Sequence, residues 1–269
     1  LVPATAFGFT YYHAARHGDF DSVLTLFSFL YVTSFYFYLE KGKPRLLILT
    51  FVFASCAVLT KSAAGLMMVP VLVIWALVKG QFFSLFTKKA FWVGLLVFIV
   101  PILAFYLGRE TVHPGYIALA NENEYIGRFF MSIDGHRHPF DYYLDSMTQE
   151  NFKYWHWFAV PCSILVFFQK NKKLRSFGIF AVLTWTLYLF IISLAKTKLR
   201  WYDIPAYPFL AIAIAIGLIT LKDFFVKIFG NKRAVATAIS ISLAVIILFN
   251  PVVKSIDRRI NSFVYPWDA

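Results

Sequence analysis

The sequence is poor in charged residues for a chain of its size. Only 15% of its 269 residues are Asp, Glu, Lys or Arg, against about a quarter in ordinary soluble domains. Hydrophobic residues make up 59% and aromatic residues 20%, which excludes a typical soluble enzyme and also a disordered chain, because disordered chains lack apolar surface to bury. The formal net charge is nevertheless +12, a value that in a soluble protein would suggest a nucleic-acid partner.

Cysteines and the compact motifs of soluble enzymes are also scarce. The two cysteines, Cys56 and Cys162, lie inside apolar runs, and we expect both to be buried small hydrophobic residues. The sequence has no glycine-rich phosphate loop, no CxxC pair and no HExxH motif. Any chemistry must therefore come from residues that are dispersed along the chain.

Long apolar runs dominate the sequence. A helix needs about 17 to 25 mostly apolar residues to cross a bilayer, and these runs are continuous rather than alternating, which argues against barrel strands. The sequence predicts an all-α polytopic membrane helical bundle with about eight complete spans and one partial span. The complete spans are predicted at 22–39, 45–60, 62–78, 90–107, 154–168, 177–194, 204–221 and 234–249, and the partial span at 1–12.

The distribution of charge predicts the two sides of the membrane. If the spans alternate, four loops share one side, and together they carry 14 basic and two acidic residues. The rest of the chain carries 12 of each sign, so the positive-inside rule places these four loops in the cytoplasm. The excess positive charge then indicates orientation in the membrane, and no nucleic-acid partner is predicted. The four loops are 40–45, 79–89, 169–176 and 222–233.

The remaining polar residues gather at the predicted outward ends of the spans. We predict a transmembrane domain at 1–249, with a long outward loop at 108–153, and the start of an outward C-terminal segment at 250–269. Four polar segments stand out on this side. They are RHGDFD (16–21), TKSAAG (60–65), GRFFMSIDGHRHPFDYYL (127–144) and AKTKLRWYDIPAYP (195–208).

The first two segments place two acidic residues and a lysine at the predicted membrane boundary. Asp21 opens an apolar run, where a helix N-terminus favours an anion, and Asp19 lies beside it. Both are candidate ligands for a hydroxyl or a metal, or else part of a solvated turn. Lys61 stands between two apolar runs without a local acidic partner, so it is a candidate for anion binding; simple snorkelling is the alternative.

The two later segments combine cations with histidine and tyrosine. Such side chains together suit a phosphate, since Arg supplies fixed charge and the others supply shaped hydrogen bonds. A solvated loop and an interfacial aromatic belt are the alternatives. The candidate phosphate-binding residues are Arg16, Lys61, Arg128, Arg137, Lys198, Arg200 and Tyr202. The candidate substrate-contacting residues of the loop are His136, His138, Tyr142 and Tyr143.

A family resemblance rests on four ordered segments. They are HAARHGDFDSVLTLF, LTKSAAGLMMVP, RFFMSIDGHRHPFDYYL followed by YWHWFAVP, and KTKLRWYDIPAYPFLAI. Together they resemble bacterial members of the dolichyl-phosphate-mannose protein mannosyltransferase-like superfamily, which includes the lipid A aminoarabinose transferases. The resemblance covers nearly the whole chain. It implies a GT-C fold and an inverting glycosyltransferase that moves a hexosyl or pentosyl group from a polyprenyl-phosphate donor to a lipid, glycan or protein acceptor, at the outer face of the bacterial inner (plasma) membrane.

The resemblance also implies residue roles. The acidic residue of the family's second outward loop falls on Asp21, and Lys61 resembles a Lys-Gly element in which Ser62 stands where glycine is common. The catalytic acid of the family lies in the first outward loop, so the resemblance places it before Leu1 and implies an N-terminally truncated chain. The flexible-loop pattern falls on Arg128, His136 and Arg137, and the late basic-aromatic motif on Lys198 and Tyr202.

The last expectations from the sequence concern a metal cofactor, the binding partners and two alternative functions. A divalent metal near His136 is compatible with the resemblance, but His136 and His138 beside a proline are not a metal site by themselves, so no metal is assigned and a divalent metal stays an open alternative. The partners implied are the lipid-linked donor, an acceptor and membrane lipids. An O-antigen ligase or polymerase would share the outward loop and the lipid-phosphate donor. A polytopic transporter would place its polar groups near the bilayer midplane, whereas these gather at one face.

Overall fold

The computed structural model describes residues 2–10, 19–122, 136–153 and 155–228, and nine positions between 238 and 257. These residues are helical apart from turns and one isolated bridge between Arg137 and Thr197, which confirms the all-α fold. The helices are α1 (Val2–Thr5), α2 (Phe7–Thr10), α3 (Phe20–Lys41), α4 (Pro44–Lys61), α5 (Val69–Val78), α6 (Phe82–Leu85), α7 (Lys89–Val112), α8 (Tyr116–Ala120), α9 (Tyr142–Ser146), α10 (His156–Val166), α11 (Lys172–Leu194) and α12 (Tyr207–Ile228).

Five described helical segments are long and apolar enough to cross a membrane. They are Phe20–Lys41, Pro44–Leu66, Lys89–Val112, Lys172–Leu194 and Ile204–Ile228. Each corresponds to a predicted span and extends it by a few residues. The described helices therefore support a multi-pass membrane protein.

The other predicted spans differ from the structure in length or lie outside it. The apolar run at 62–78 divides into a 3-10 turn (Ser62–Leu66) and α5, which has ten residues, and the run at 154–168 becomes the 11-residue α10. Helices of this length cover only about half of a bilayer. The run at 234–249 lies almost wholly outside the described residues.

Local signals set the ends of the first long hairpin. Asp19 caps α3 by accepting a hydrogen bond from the amide of Phe20, and Asp21 lies in the first turn, where an anion is favoured. Gly42 ends α3 with φ of +64°, a conformation that glycine adopts without steric cost. Pro44 then opens α4, as expected for a first helical position.

The chain divides into two compact units. The cavity unit comprises Gly18–Tyr143 and Leu183–Ala206, and the second unit comprises Leu1–His17, Leu144–Val182 and Tyr207–Ala269. In the second unit α10 crosses α12 closely, because Gly217 faces the backbone of Cys162. Cys162 is buried there and Cys56 is half-buried in the cavity unit; both are free thiols.

In the cavity unit, α4 packs between α3 and α7. Gly94 of α7 faces the ring of Phe51, and the Ser55 hydroxyl donates to the carbonyl of Phe98 at 3.1 Å. At the α3 C-terminus, Lys79 Nζ lies 2.6 Å from Glu40 Oε1. The predicted loops 40–45 and 79–89 therefore lie at the same end of this unit, opposite Asp21 and Lys61.

The chain reverses sharply after α4. Ser62 has φ of +44° and ψ of −128°, near the first central position of a type II′ turn, where glycine is preferred. The position at which the family resemblance expects glycine is thus a strained one for serine. Three residues later, a Cβ on Gly65 would lie 2.5 Å from backbone atoms of Ala57 and Val58, so the turn packs directly on the last part of α4.

Gly65→Ala should destabilise the protein by about 1 to 3 kcal/mol, because the added methyl meets backbone that cannot move without disturbing α4. The measurement is the thermal unfolding midpoint of the purified protein in detergent. Gly108→Ala is the matched control, since its Cβ would meet nothing within 4 Å. Equal midpoints for the two variants would contradict the close packing of the turn.

Candidate functional site

A cavity of about 650 Å³ opens in the cavity unit, within the size range of small-ligand sites. The start of α3, the end of α4 with its turn, the end of α7, α8 and the end of α11 contribute to its wall. Half of the sixteen lining residues are apolar, and the other half carry a hydroxyl or an ammonium group. The polar and hydroxyl-bearing lining residues are Thr60, Lys61, Ser62, Tyr106, Tyr116, Tyr188, Thr197 and Tyr202.

Lys61 forms a buried ion pair at this wall. Its ammonium lies 2.5 Å from Asp21 Oδ1, and the side chains are 24% and 3% exposed respectively. The same ammonium lies 4.9 Å from the centroid of the Tyr202 ring, in range of a cation–π interaction. Three residues predicted from separate segments therefore meet at one point, and the cation among them faces the cavity.

The segment that follows α11 positions Tyr202. The Tyr188 hydroxyl donates to the Tyr202 carbonyl at 2.8 Å, and the short 3-10 turn Ile204–Ala206 packs on α3. Asp203 between them is completely buried. These contacts hold the Tyr202 ring over the Lys61 ammonium, so α3 carries both the carboxylate partner of Lys61 and the support for its aromatic partner.

Tyr143 is a second buried phenol near this segment. Burial raises the pKa of the Tyr143 hydroxyl well above its usual value, and the negative charge of Asp203 raises it further. Its hydroxyl has no hydrogen-bond partner among the described residues. Tyr143 was predicted to contact substrate, but it does not line the cavity.

Lys198 ties together the two later polar segments. Its amide donates to the His136 carbonyl at 3.0 Å, and its ammonium donates to the carbonyls of Ala195 at 2.5 Å and His138 at 3.1 Å. Burial lowers the pKa of the Lys198 ammonium. The loop at 136–138 is therefore held against 195–198, and the phosphate-binding role of Lys198 stays a prediction.

The remaining predicted residues occupy different positions. His136, Arg137 and Arg200 are exposed, and none of them lines the cavity. The His138 ring stacks on Tyr142 with centroids 4.1 Å apart. Arg16 and Arg128 lie outside the described residues.

No metal site is evident in the part of the chain that the structure describes. Within it, no three His, Cys, Asp or Glu side chains come together in a way that could hold a metal ion. Nothing there assigns a metal to His136.

Sequence reasoning missed three tyrosines that line the cavity, two from predicted spans and one from the outward loop. Tyr106, Tyr116 and Tyr188 all line the cavity, but with 53 aromatic residues in the chain a single tyrosine in an apolar run carries little information. The one sequence signal that could have identified Tyr106 was its position in the span. Tyr106 lies near the outward end of its predicted span, on the same side as Lys61.

A double-mutant cycle on Lys61→Met and Asp21→Asn should give a coupling energy of about 1 to 3 kcal/mol, because Lys61→Met removes the cation from a buried carboxylate and Asp21→Asn removes the anion from a half-buried ammonium. The measurement is the stability of the four proteins in detergent. The Lys79–Glu40 pair is the matched control; it is more exposed, so its coupling should stay below about 1 kcal/mol. Equal couplings would contradict the burial of the Lys61 pair.

The His138 imidazole should titrate below its ordinary value of 6.5, because partial burial disfavours the charged ring and the positive charges of His136, Lys198 and Arg200 add to this. Between the lowered pKa and 6.5 the unfolded chain binds the proton more readily, so this group adds stability above 6.5 and loses it as the pH falls through that interval. NMR titration of labelled histidines, assigned with His138→Gln, measures the pKa. A value of 6.5 or above would contradict the packing of this loop.

Comparison with known protein families gives a match over the first part of the chain. No curated protein and no solved structure matches the chain. Residues 2–106 match the model of the family described as dolichyl-phosphate-mannose-protein mannosyltransferase. The matched segment includes Asp21, Lys61 and Tyr106 but not the segments around His136 and Tyr202. The match supports a membrane glycosyltransferase of the mannosyltransferase-like type, with a lipid-linked sugar donor in general terms.

Proposed function

We propose that the protein is an inverting glycosyltransferase that moves a sugar from a polyprenyl-phosphate donor to a hydroxyl of a lipid, glycan or protein acceptor. The observation that carries this proposal is the Lys61 ammonium, held by Asp21 and Tyr202 at the wall of a cavity in a membrane-embedded unit. A cation in such surroundings interacts more strongly with a phosphate than it would in water. The family match over 2–106 agrees with this role.

In the proposed reaction the acceptor oxygen attacks the anomeric carbon on the face opposite the phosphate. The bond from that carbon to the phosphate oxygen breaks, polyprenyl phosphate leaves, and the hydroxyl proton passes to a carboxylate base. Negative charge grows on the departing phosphate, so a cation placed there stabilises the transition state. We assign that cation to Lys61, and we keep Asp21 and Asp19 as auxiliary acids.

Arg16, Arg128, Arg137, Lys198 and Arg200 remain proposed contributors to donor binding. His136, His138, Tyr142 and Tyr143 remain proposed contacts of the flexible loop.

We further propose that this chemistry takes place at the outer face of a bacterial inner membrane. The support is the charge count, because the loops assigned to the cytoplasm hold the whole positive excess. The pairing of Lys79 with Glu40 at the end of α3 opposite Asp21 agrees with this arrangement. We also propose that 1–249 form one GT-C-like transmembrane domain and that 250–269 lie on the outward side, to which the alternation of the predicted spans assigns them.

Lys61→Met should lower kcat/KM for a radiolabelled polyprenyl-phosphate sugar by about 100-fold, the scale expected when a charge-stabilising group is removed. Full-length protein in lipid nanodiscs is assayed for transfer of label. Lys79→Met is the matched control, since Lys79 also pairs with an acid and lies 5.3 Å from a Trp75 ring centroid but does not line the cavity.

The control variant should keep wild-type turnover. Loss of less than about twofold in Lys61→Met, against the scale expected for a transition-state contact, would overturn the assignment of the phosphate site. Absence of transfer from every sugar carrier by the wild-type protein would overturn the proposed function.

A further inference from the structure

Three aromatic side chains form a wall of the cavity that faces the same space as Lys61. This aromatic wall consists of Phe105, Tyr106 and Tyr116, all of which line the cavity. The Tyr106 and Tyr116 rings have centroids 6.1 Å apart and are tilted by 35°, and Phe105 meets Tyr116 edge-on at 6.4 Å. The rings therefore contact one another and present a continuous surface.

Contacts on either side hold the wall in place. The Arg109 guanidinium lies 4.9 Å from the Tyr116 ring centroid and 5.9 Å from that of Phe105. The Glu110 carboxylate accepts hydrogen bonds from the amides of Gly115 and Ile117, both at 2.7 Å, which fixes the start of α8. A binding surface that is already ordered costs less entropy when its ligand arrives.

The wall is joined to the cationic side of the cavity. The Tyr106 hydroxyl and the Ser62 hydroxyl lie 3.1 Å apart and share a hydrogen bond, and Ser62 directly follows Lys61. Lys61 and the aromatic wall line the same cavity, so a ligand with an anion at Lys61 can extend its neighbouring group to the wall. An aromatic face packs against C–H groups and a tyrosine hydroxyl forms hydrogen bonds, so this wall suits a neighbouring group that carries both C–H groups and hydroxyls.

We propose that the aromatic wall binds the sugar ring of the lipid-linked donor while Lys61 binds its phosphate; this inference rests on the proposed function. A sugar ring presents C–H groups to an aromatic face and hydroxyls at its edge, which matches tyrosine better than an aliphatic side chain. The isoprenoid chain has no hydroxyls and fits the aliphatic lining formed by Leu59, Met67 and Ile192. Arg109 and Glu110 act as positioning residues, because they order Tyr116 without lining the cavity.

The test compares carriers with and without sugar. Binding of decaprenyl phosphate and of its mannose, glucose and arabinose derivatives to full-length protein in nanodiscs is measured by tryptophan fluorescence. In the wild-type protein at least one sugar carrier should bind about tenfold more tightly than decaprenyl phosphate, a difference of about 1.4 kcal/mol. Tyr116→Leu and Tyr106→Leu should each reduce this gain to about twofold or less, about 0.4 kcal/mol, and leave the affinity for bare decaprenyl phosphate unchanged.

The control variants and the contrary results distinguish failure of the sugar-binding wall from failure of the proposed function. Leu119→Ala, on α8 with a 58% exposed side chain outside the cavity lining, should keep the full gain, and Tyr116→Phe should keep most of it. An undiminished gain in both leucine variants would overturn the inference, as would an equal loss for bare and sugar-carrying lipids, which would assign the wall to the isoprenoid. A wild-type protein without any gain would overturn it as well. Failure of bare decaprenyl phosphate to bind, or binding indifferent to Lys61→Met, would instead overturn the proposed phosphate site.

Discussion

The ion pair between Lys61 and Asp21 is the interaction on which the cavity depends. Placing a lone charge in an apolar bundle costs several kcal/mol, so the last residue of α4 and the first turn of α3 stay together or both ions become unfavourable. The pair thereby fixes how these helices meet at one end. It also leaves the cation partly open to the cavity, where the phosphate of a ligand can approach it.

The sequence was sufficient to predict the all-helical membrane fold because hydrophobic burial in a bilayer is a property of long segments. Runs such as 22–39 and 90–107 are each long and apolar enough to predict a membrane-spanning helix from length and composition alone. Hydropathy wrongly predicted one continuous span over 62–78, because it does not detect the strained turn at Ser62 or the close packing of Gly65. A ten-residue apolar helix and half of a longer one have similar composition.

The candidate site was predictable where the sequence contained an anomaly. Lys61 stood alone between apolar runs, and Asp21 occupied a helix start; the structure joins them, although neither had a visible partner in the sequence. Tyr202 was predicted from its basic and aromatic neighbours. Tyr106 and Tyr116 were not predictable in this way, because their role depends on a cavity formed by helices that are distant in sequence. Lys198 shows the opposite case. Its charge predicted a phosphate-binding role, but in the folded protein its ammonium donates hydrogen bonds to the carbonyls of His138 and Ala195.

The helix α3 carries a lysine–carboxylate pair at each end, with Lys61 at its first turn and Lys79 at its last. Sliding α3 along its axis by one turn, about 5.4 Å, would break both pairs at once, so its register against α4 and α5 is locked. A guest entering the cavity therefore meets, at α3, a side that cannot shift along its helix axis without separating both ion pairs.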